Sequence, residues 1–330
     1  MIVIFNLGVE DRNFYYFSGI EEPCKGIVLW DGKHAKVLVS ELEAGIAEKY
    51  AGDVVVFKNS DELWNLIERE LRGYKVIGVN AKRLPFRTFR KLKKALKGKR
   101  IEDVSKKLEE LRRIKKEEEV EKIKKACKIA SKTLEKIPEL VCEEMSEREL
   151  AIELEHIAKK LGAEGFSFPT IVASGERTRK IHTNPEERKI RGALIVDMGP
   201  VYKMYTADVS RSFFLGKNRE YERLYERVLE AEIEVLENLK DGVEICEICK
   251  MVERKIGKMK HCLGHGVGLE AHEKPFLNKK SREKLEKGEV IAIEPAVYSP
   301  FGIRIEDVVL IEKKAKILTK LRKDLEFAII

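Results

Sequence analysis

The sequence contains no glutamine, only two tryptophans and only six histidines in 330 residues. Charged residues make up 37% of it, mostly Lys and Glu, well above the usual quarter. Depleted amides beside abundant ion-pair formers suit a protein from a hot environment; a lineage bias in composition gives the same pattern. No apolar run approaches the length of a membrane span, which argues against a membrane protein. The opening MIVIFNLG lacks the basic n-region and cleavage site of a secretory signal. The cysteines Cys24, Cys127, Cys142, Cys246, Cys249 and Cys262 therefore read as reduced thiols of a cytoplasmic protein. Cys246 and Cys249 form a single CxxC, open to a redox or zinc reading. DGVEICEICKMVERKIG, however, puts Val243, Ile245, Cys246, Cys249 and Val252 near one face of a helix, which favours core thiols.

The net charge of +8 raises the question of nucleic acid. The excess is spread along mixed-sign helical stretches such as Lys106 to Lys125, which read as solvated faces. The purer basic block, Arg87 to Arg100, has little aromatic interleaving. A nucleic-acid partner is not expected.

With 43% hydrophobic residues, the chain can build one large domain or two ordinary ones. In the first part, GIVLW, AKVLVS, DVVVF and KVIGVN read as strands. Between them SELEAGIAEKY, SDELWNLIERELRG and the basic block read as helices, giving an open α/β sheet. A charged region from Ile101 to about Leu140 keeps a helical apolar period. It reads as the connector and the first helix of a second domain. The expected domains are residues 1–115 and 116–330. Ser146 to Glu149 forms a helix-capping pattern for a helix over Met145 to Leu161. Helices are also expected at about Arg219 to Leu239 and Ile245 to Ile256, and strands elsewhere.

Half of the scarce histidines, His261, His265 and His272, fall in HCLGHGVGLEAH. Gly264, Gly266 and Gly268 make a helix improbable there. An extended segment running close to something small, such as a metal ion, is one reading; a glycine-rich turn with incidental imidazoles is the other. Four carboxylates bear on the choice. Asp197 follows Leu194-Ile195-Val196, and Asp208 lies in a second strand joined to the first by a turn. Glu294 ends Val290-Ile291-Ala292-Ile293, and Glu306 stands between Ile305 and Asp307. Acids are depleted in strands and costly to bury alone. Each could be one half of a buried ion pair. Together with His265 they make a hard, thiolate-free donor set for a pair of divalent ions such as Mn, Co, Zn or Fe. Two such ions about 3.5–4 Å apart can share a hydroxide and polarise a carbonyl.

The blocks DMGPVYKMYTADVSRSF, HCLGHGVGLEAHEKP, IEPAVY and RIED, in this order, resemble the metallopeptidase family of Xaa-Pro dipeptidase (prolidase), aminopeptidase P and methionine aminopeptidase. DRNFYYFSGI resembles the opening of the N-terminal domain found in the proline-specific branch, and LRRIKKEEEVEKIKKACKIA resembles its linker helix. The resemblance implies an N-terminal creatinase-like α/β domain followed by a pita-bread catalytic domain, and two divalent ions per subunit. Asp197 would serve one ion, His265 and Glu294 the other, and Asp208 and Glu306 both. His182 and His272 would contact the peptide and stabilise the tetrahedral intermediate, with His261 near the substrate and Arg304 supporting the site. Glu294 would take the proton of a bridging hydroxide and pass it to the leaving nitrogen. His34 and His156 are left as surface residues.

The implied activity is hydrolysis of the Xaa-Pro bond of dipeptides by a homodimer. Cleavage of longer peptides, as by an aminopeptidase P, is the alternative. A pita-bread protein that has turned to binding a partner is the remote one, since such proteins lose ligands. The chain departs from the family pattern at Ile181, where many relatives have Pro, and at Phe276, where several have Arg. Met198 and Pro200 also vary the usual block, and the interval from Glu294 to Glu306 is short.

Overall fold

The computed structural model describes every residue except Glu143. The chain divides into two compact units, Met1–Arg112 and Arg113–Ile330.

The first unit is built on one six-stranded sheet. Its strands are β1 (Ile2–Asn6), β2 (Gly26–Trp30), β3 (Ala35–Ser40), β4 (Val54–Phe57), β5 (Val76–Val79) and β6 (Arg100–Asp103), in the order β4-β3-β2-β1-β5-β6. β1, β2 and β3 pair antiparallel and the other neighbours parallel. The helices are α1 (Arg12–Ser18), α2 (Ala44–Tyr50), α3 (Ser60–Leu71), α4 (Phe86–Ala95) and α5 (Ser105–Leu111). Val3, Ile27 and Leu38 of the sheet share a core with Ile67 and Leu71 of α3 and Leu92 of α4. Burying each such side chain stabilises by about 1.5–3 kcal/mol. Leu92 is the one buried residue of α4. Arg87, Arg90, Lys91, Lys93 and Lys94 point to water, so the basic block is a solvated helix face.

The charged region does not form one connector. β6 and α5 belong to the first unit. The chain then runs extended, with Ile114 bridging to Glu289, before α6 (Glu117–Leu134) begins. The break is electrostatic. Arg113 is buried against Glu289 and Glu283, and Lys115 against Glu273 at 2.7 Å. Side chains committed to such partners leave the helical period that the leucines and isoleucines around them suggest.

In the second unit α6 buries Val120, Ile123, Cys127 and Leu134. A short α7 (Ile137–Leu140) leads to α8 (Glu147–Lys160). Ser146 and Glu149 cap α8 reciprocally, Glu149 N to Ser146 Oγ at 3.2 Å and Ser146 N to Glu149 Oε2 at 2.8 Å, as the sequence pattern requires. The strands β7 (Gly165–Phe166), β8 (Ile171–Ser174), β9 (Ala193–Met198), β10 (Pro200–Tyr202), β11 (Tyr205–Thr206) and β12 (Val209–Phe214) form two three-stranded sheets, β12-β9-β8 and β11-β10-β7. The link from β9 to β12 is thus not the simple turn expected. It makes a hairpin excursion, β10 to β11, around Lys203 and Met204 with φ of 48° and 70°, the two positive values of a type I′ turn.

Two helices follow, α9 (Arg219–Asn238) and α10 (Ile245–Ile256). They share a core with a five-stranded antiparallel sheet, Val235, Ile248 and Val252 clustering with Ile291, Ile293 and Val309. The last strands are β13 (Gly264–Gly266), β14 (Glu273–Leu277), β15 (Val290–Ile293), β16 (Ala296–Tyr298), β17 (Gly302–Arg304), β18 (Asp307–Leu310) and β19 (Lys316–Ile317). The five-stranded sheet runs β14-β13-β15-β18-β19, while β16 pairs only with β17. The chain therefore leaves the large sheet after Ile293, makes a small ribbon, and returns at Asp307. A short helix, α11 (Leu325–Ala328), closes the unit. Among the described residues no helix is long and apolar enough to cross a membrane.

The glycines of the histidine segment make room for neighbouring chain. A Cβ on Gly264 would lie 2.0 Å from the Ala292 carbonyl oxygen, and one on Gly266 2.0 Å from that of Lys274. β13 is the strand held between β14 and β15, and only hydrogen fits at these points. A β-bulge between His265 and Gly266 re-aims the imidazole. Gly264→Ala is expected to cost at least about 1–3 kcal/mol by forcing β13 from β15. A thermal melt reads this as a lower Tm, and an unchanged Tm would contradict the close-approach account.

Candidate metal centre

β9 and β12 pair with Asp197 opposite Ser210. β9 is buried along its whole length, so the Asp197 carboxylate enters a site without solvent on either face. Its Oδ2 accepts from Arg304 Nη2 at 2.5 Å, and its Oδ1 is buried without a hydrogen-bond partner. The other three acids stand just off strand ends. Asp208 precedes β12, Glu294 follows β15 and Glu306 precedes β18. The last two mark the places where the chain changes sheet. There the ladder is open, and a carboxylate can turn inward without displacing a strand side chain.

His265 brings the imidazole from β13. Its Nε2 lies 3.7 Å from Asp208 Oδ2 and 3.7 Å from Glu294 Oε1. His272 Nε2 lies 3.6 Å from Asp208 Oδ2, and the two imidazoles meet edge to face at 4.1 Å. These separations are too long for hydrogen bonds. They suit donors around a shared cation, since ligands each about 2.0–2.2 Å from an ion stand about 3–4 Å apart. Donor atoms of Asp197, Asp208 and Glu306 come within 4.8 Å of one another, as do those of His265, Glu294 and Glu306 and those of Asp208, His265 and His272. The groups overlap at Asp208, His265 and Glu306. The donor set thus fits divalent cations, and the orphaned Asp197 oxygen is a lone pair without a proton to accept.

Electrostatics point the same way. Burial, then repulsion from Glu306, Asp197 and Glu294, holds the Asp208 carboxyl well above the usual range. Burial followed by Asp197 and Glu294 does the same to Glu306. Burial raises Glu294 to about 8 against the pull of Arg304. Burial lowers His265 to about 3, with His272 adding to it, so its imidazole is neutral and able to ligate. Burial opposes the charge of Arg304, but Asp197, Tyr298, Glu294 and Glu306 outweigh it and raise its pKa. One guanidinium cannot balance four carboxylates; divalent cations would.

All nine residues singled out in the sequence line one cavity of about 410 Å³. Asp197, Asp208, His265, Glu306 and Arg304 are buried, and His182 and His272 stand exposed at its mouth. His261 donates or accepts at 2.9 Å with the Tyr298 hydroxyl, and its Nδ1 lies 3.6 Å from Glu294 Oε2. Arg304 faces the protein, reaching Asp197, Tyr298 Oη at 3.2 Å, Ser210 Oγ at 2.8 Å and the Ile181 carbonyl at 3.4 Å. Phe168, Pro169, Ile171, Ile181 and Phe276 add apolar surface to the lining. His34 and His156 are exposed. In the CxxC, Cys249 is a core thiol pushed up to about 12 by burial. Cys246 is only half-buried.

The sequence reading missed Ser210 and Tyr298. Ser210 had a signal. Asp208, Ser210 and Ser212 recur with period two beside buried Val209 and Phe213, which marks a polar row on one strand face. Tyr298 had none beyond its place in IEPAVY.

Comparison with known proteins agrees with this geometry. Residues 121–313 match the model of metallopeptidase family M24, and residues 4–114 that of the creatinase/prolidase N-terminal domain. The chain belongs to metallopeptidase family M24. It is 36% identical to a Xaa-Pro dipeptidase of Pyrococcus horikoshii, over 96% of this chain and 92% of that one. It is 37% identical to a Xaa-Pro dipeptidase of Pyrococcus furiosus, over 95% and 92%. Among solved structures, the prolidase of P. horikoshii superposes with a TM-score of 0.90 at 35% identity, covering 98% of this chain and 94% of that one. The X-Pro aminopeptidase of Thermotoga maritima does so with 0.91 at 28% identity, covering 100% and 98%. The two units are thus a creatinase-like α/β domain and an M24 pita-bread domain, as the sequence resemblance implied.

A carboxyl with a raised folded pKa stabilises the fold at low pH, and that contribution is lost as pH rises through the folded value. For Glu294 the loss runs from the ordinary carboxylate range up to about 8. His265 acts in the opposite sense, but only below its ordinary value of 6.5. Metal-stripped protein should therefore lose Tm between about pH 6.5 and about pH 8, and added Mn²⁺ should remove that loss. A pH-independent Tm in stripped protein would contradict the buried-charge account.

Proposed function

We propose that this protein is a metal-dependent Xaa-Pro peptidase acting on dipeptides. We propose further that Asp197, Asp208, His265, Glu294 and Glu306 hold two divalent cations of the Mn, Co, Zn or Fe class. The observation that carries the reading is the overlap of the donor groups at Asp208, His265 and Glu306. The same reading takes the protein as a homodimer of the cytoplasm.

When bound, the cations supply Lewis-acid polarisation of a carbonyl and lower the pKa of a water. The rest is the work of side chains. Glu294, grouped with His265 and Glu306, accepts the proton of the attacking water and delivers it to the proline nitrogen as the bond breaks. That nitrogen carries no hydrogen in the substrate, so a site that asks for no N–H donation from it accepts bonds other peptidases reject. His182 and His272 at the mouth, and His261 against Tyr298, offer polar contacts to the peptide and to the developing oxyanion. Arg304 holds Asp197 in place, and the apolar surface of Phe168, Ile181 and Phe276 suits the pyrrolidine ring.

One observation favours the second reading, cleavage of longer peptides. The single guanidinium lining the cavity belongs to Arg304, which is committed to Asp197, Ser210 and Tyr298. A free dipeptide carboxylate would find imidazoles, Thr183 and Asn184 in the lining, and no second guanidinium. Hydrolysis of Ala-Pro and Ala-Pro-Ala, with Mn²⁺ or Co²⁺ and with a chelator, separates the two. Cleavage of Ala-Pro alone is the expected result; release of Ala from the tripeptide assigns the second reading. No metal-dependent cleavage of either removes both. Glu294→Gln should fold and lose at least about 100-fold in kcat. Near-normal turnover would take the proton-carrier role from Glu294.

A further inference from the structure

Ser210 lies 0% exposed on β12 and touches two groups of the centre. Arg304 Nε comes to its Oγ at 2.8 Å, and Glu306 Oε2 lies 2.7 Å from the same Oγ. A guanidinium can only donate. The serine oxygen must therefore accept from Arg304, and its one proton must go to Glu306. The order Arg304 to Ser210 to Glu306 is fixed by chemistry, and each bond polarises the next.

The neighbouring residue fixes the backbone at the same point. Arg211, also 0% exposed, donates through Nη1 to the Glu306 carbonyl at 2.7 Å and the Ser210 carbonyl at 2.9 Å. Glu306 N donates to the Ser210 carbonyl at 3.1 Å. Main chain and side chain of Glu306 are thus both held from β12. Without the serine, one carboxylate oxygen would lose its protein donor, and the terminal torsion of Glu is broad.

We infer that Ser210 is a positioning residue for cation binding: its hydroxyl, oriented by Arg304, occupies one oxygen of Glu306 and thereby aims the carboxylate at both cation positions. The inference rests on the proposed metal-holding role of Glu306. It extends that role to a residue outside the donor set.

The test is Mn²⁺ titration calorimetry on chelator-stripped full-length protein, wild type, Ser210→Ala and Ser210→Thr, with the Tm of each in the stripped state. Ser210→Ala should weaken Mn²⁺ binding by about 10–100-fold while the stripped Tm stays near that of the wild type. Ser210→Thr, which keeps the hydroxyl, should bind close to wild type. Wild-type affinity in Ser210→Ala, with the wild type taking up Mn²⁺ normally, overturns the inference and leaves the metal reading standing. Equal weakening in Ser210→Ala and Ser210→Thr assigns the effect to packing and also overturns it. A wild type that takes up no Mn²⁺ removes the metal reading and this inference together.

Discussion

Buried negative charge is the constraint around which the second unit is organised. Asp197, Asp208, Glu294 and Glu306 crowd one cavity, and ionised carboxylates leave water only when something positive meets them. The protein supplies one guanidinium there, Arg304, and spends it on Asp197, Ser210 and Tyr298. Everything else in the centre is a carboxylate, a hydroxyl or an imidazole, and none of these supplies a fixed positive charge. A site so short of cations is unfavourable for folding by itself and favourable for capturing divalent ions, and the second property is the use of the first.

The strand pattern serves this arrangement. Glu294 and Glu306 occupy the two points where the chain steps between the five-stranded sheet and the β16–β17 ribbon. Ile293 pairs with Asp307 on one side of the gap, and Ala296 with Arg304 on the other. The gap is short because the ribbon is short, which is what the small interval between the two glutamates meant in the sequence. Arg304 belongs to the ribbon and Asp197 to a different sheet, so one ion pair ties two strand systems to the same few ångströms.

Much of the centre was legible because its residues contradict their surroundings. An acid at the end of Val-Ile-Ala-Ile, or after Leu-Ile-Val, is visible to anyone who asks what it is doing there. The capping box at Ser146 and the limits of α9 and α10 were readable for similarly local reasons. What was not legible depended on distant partners. β6, RIED at the sheet edge, is half exposed and charged, and its strand character comes from pairing with β5. The hairpin at Lys203 and Met204 carries no glycine to announce it. The break before α6 is set by Glu273, Glu283 and Glu289, far along the chain from the Arg113 and Lys115 they hold.

That last feature bears on where the catalytic unit begins. The family likeness starts at residue 121, but two of the unit's buried counter-charges lie upstream of it. Lys115 and Glu273 are 1% and 5% exposed in their side chains, and Glu289 opposite Arg113 is wholly buried. Glu273 follows His272 directly, and its carboxylate lies against Gly268. A fragment cut at the family boundary would strip these acids of the cations that face them, a loss of about 3–5 kcal/mol for each broken pair. The autonomous folding segment is therefore longer than the homologous one, and its first turn of chain is an internal counterion.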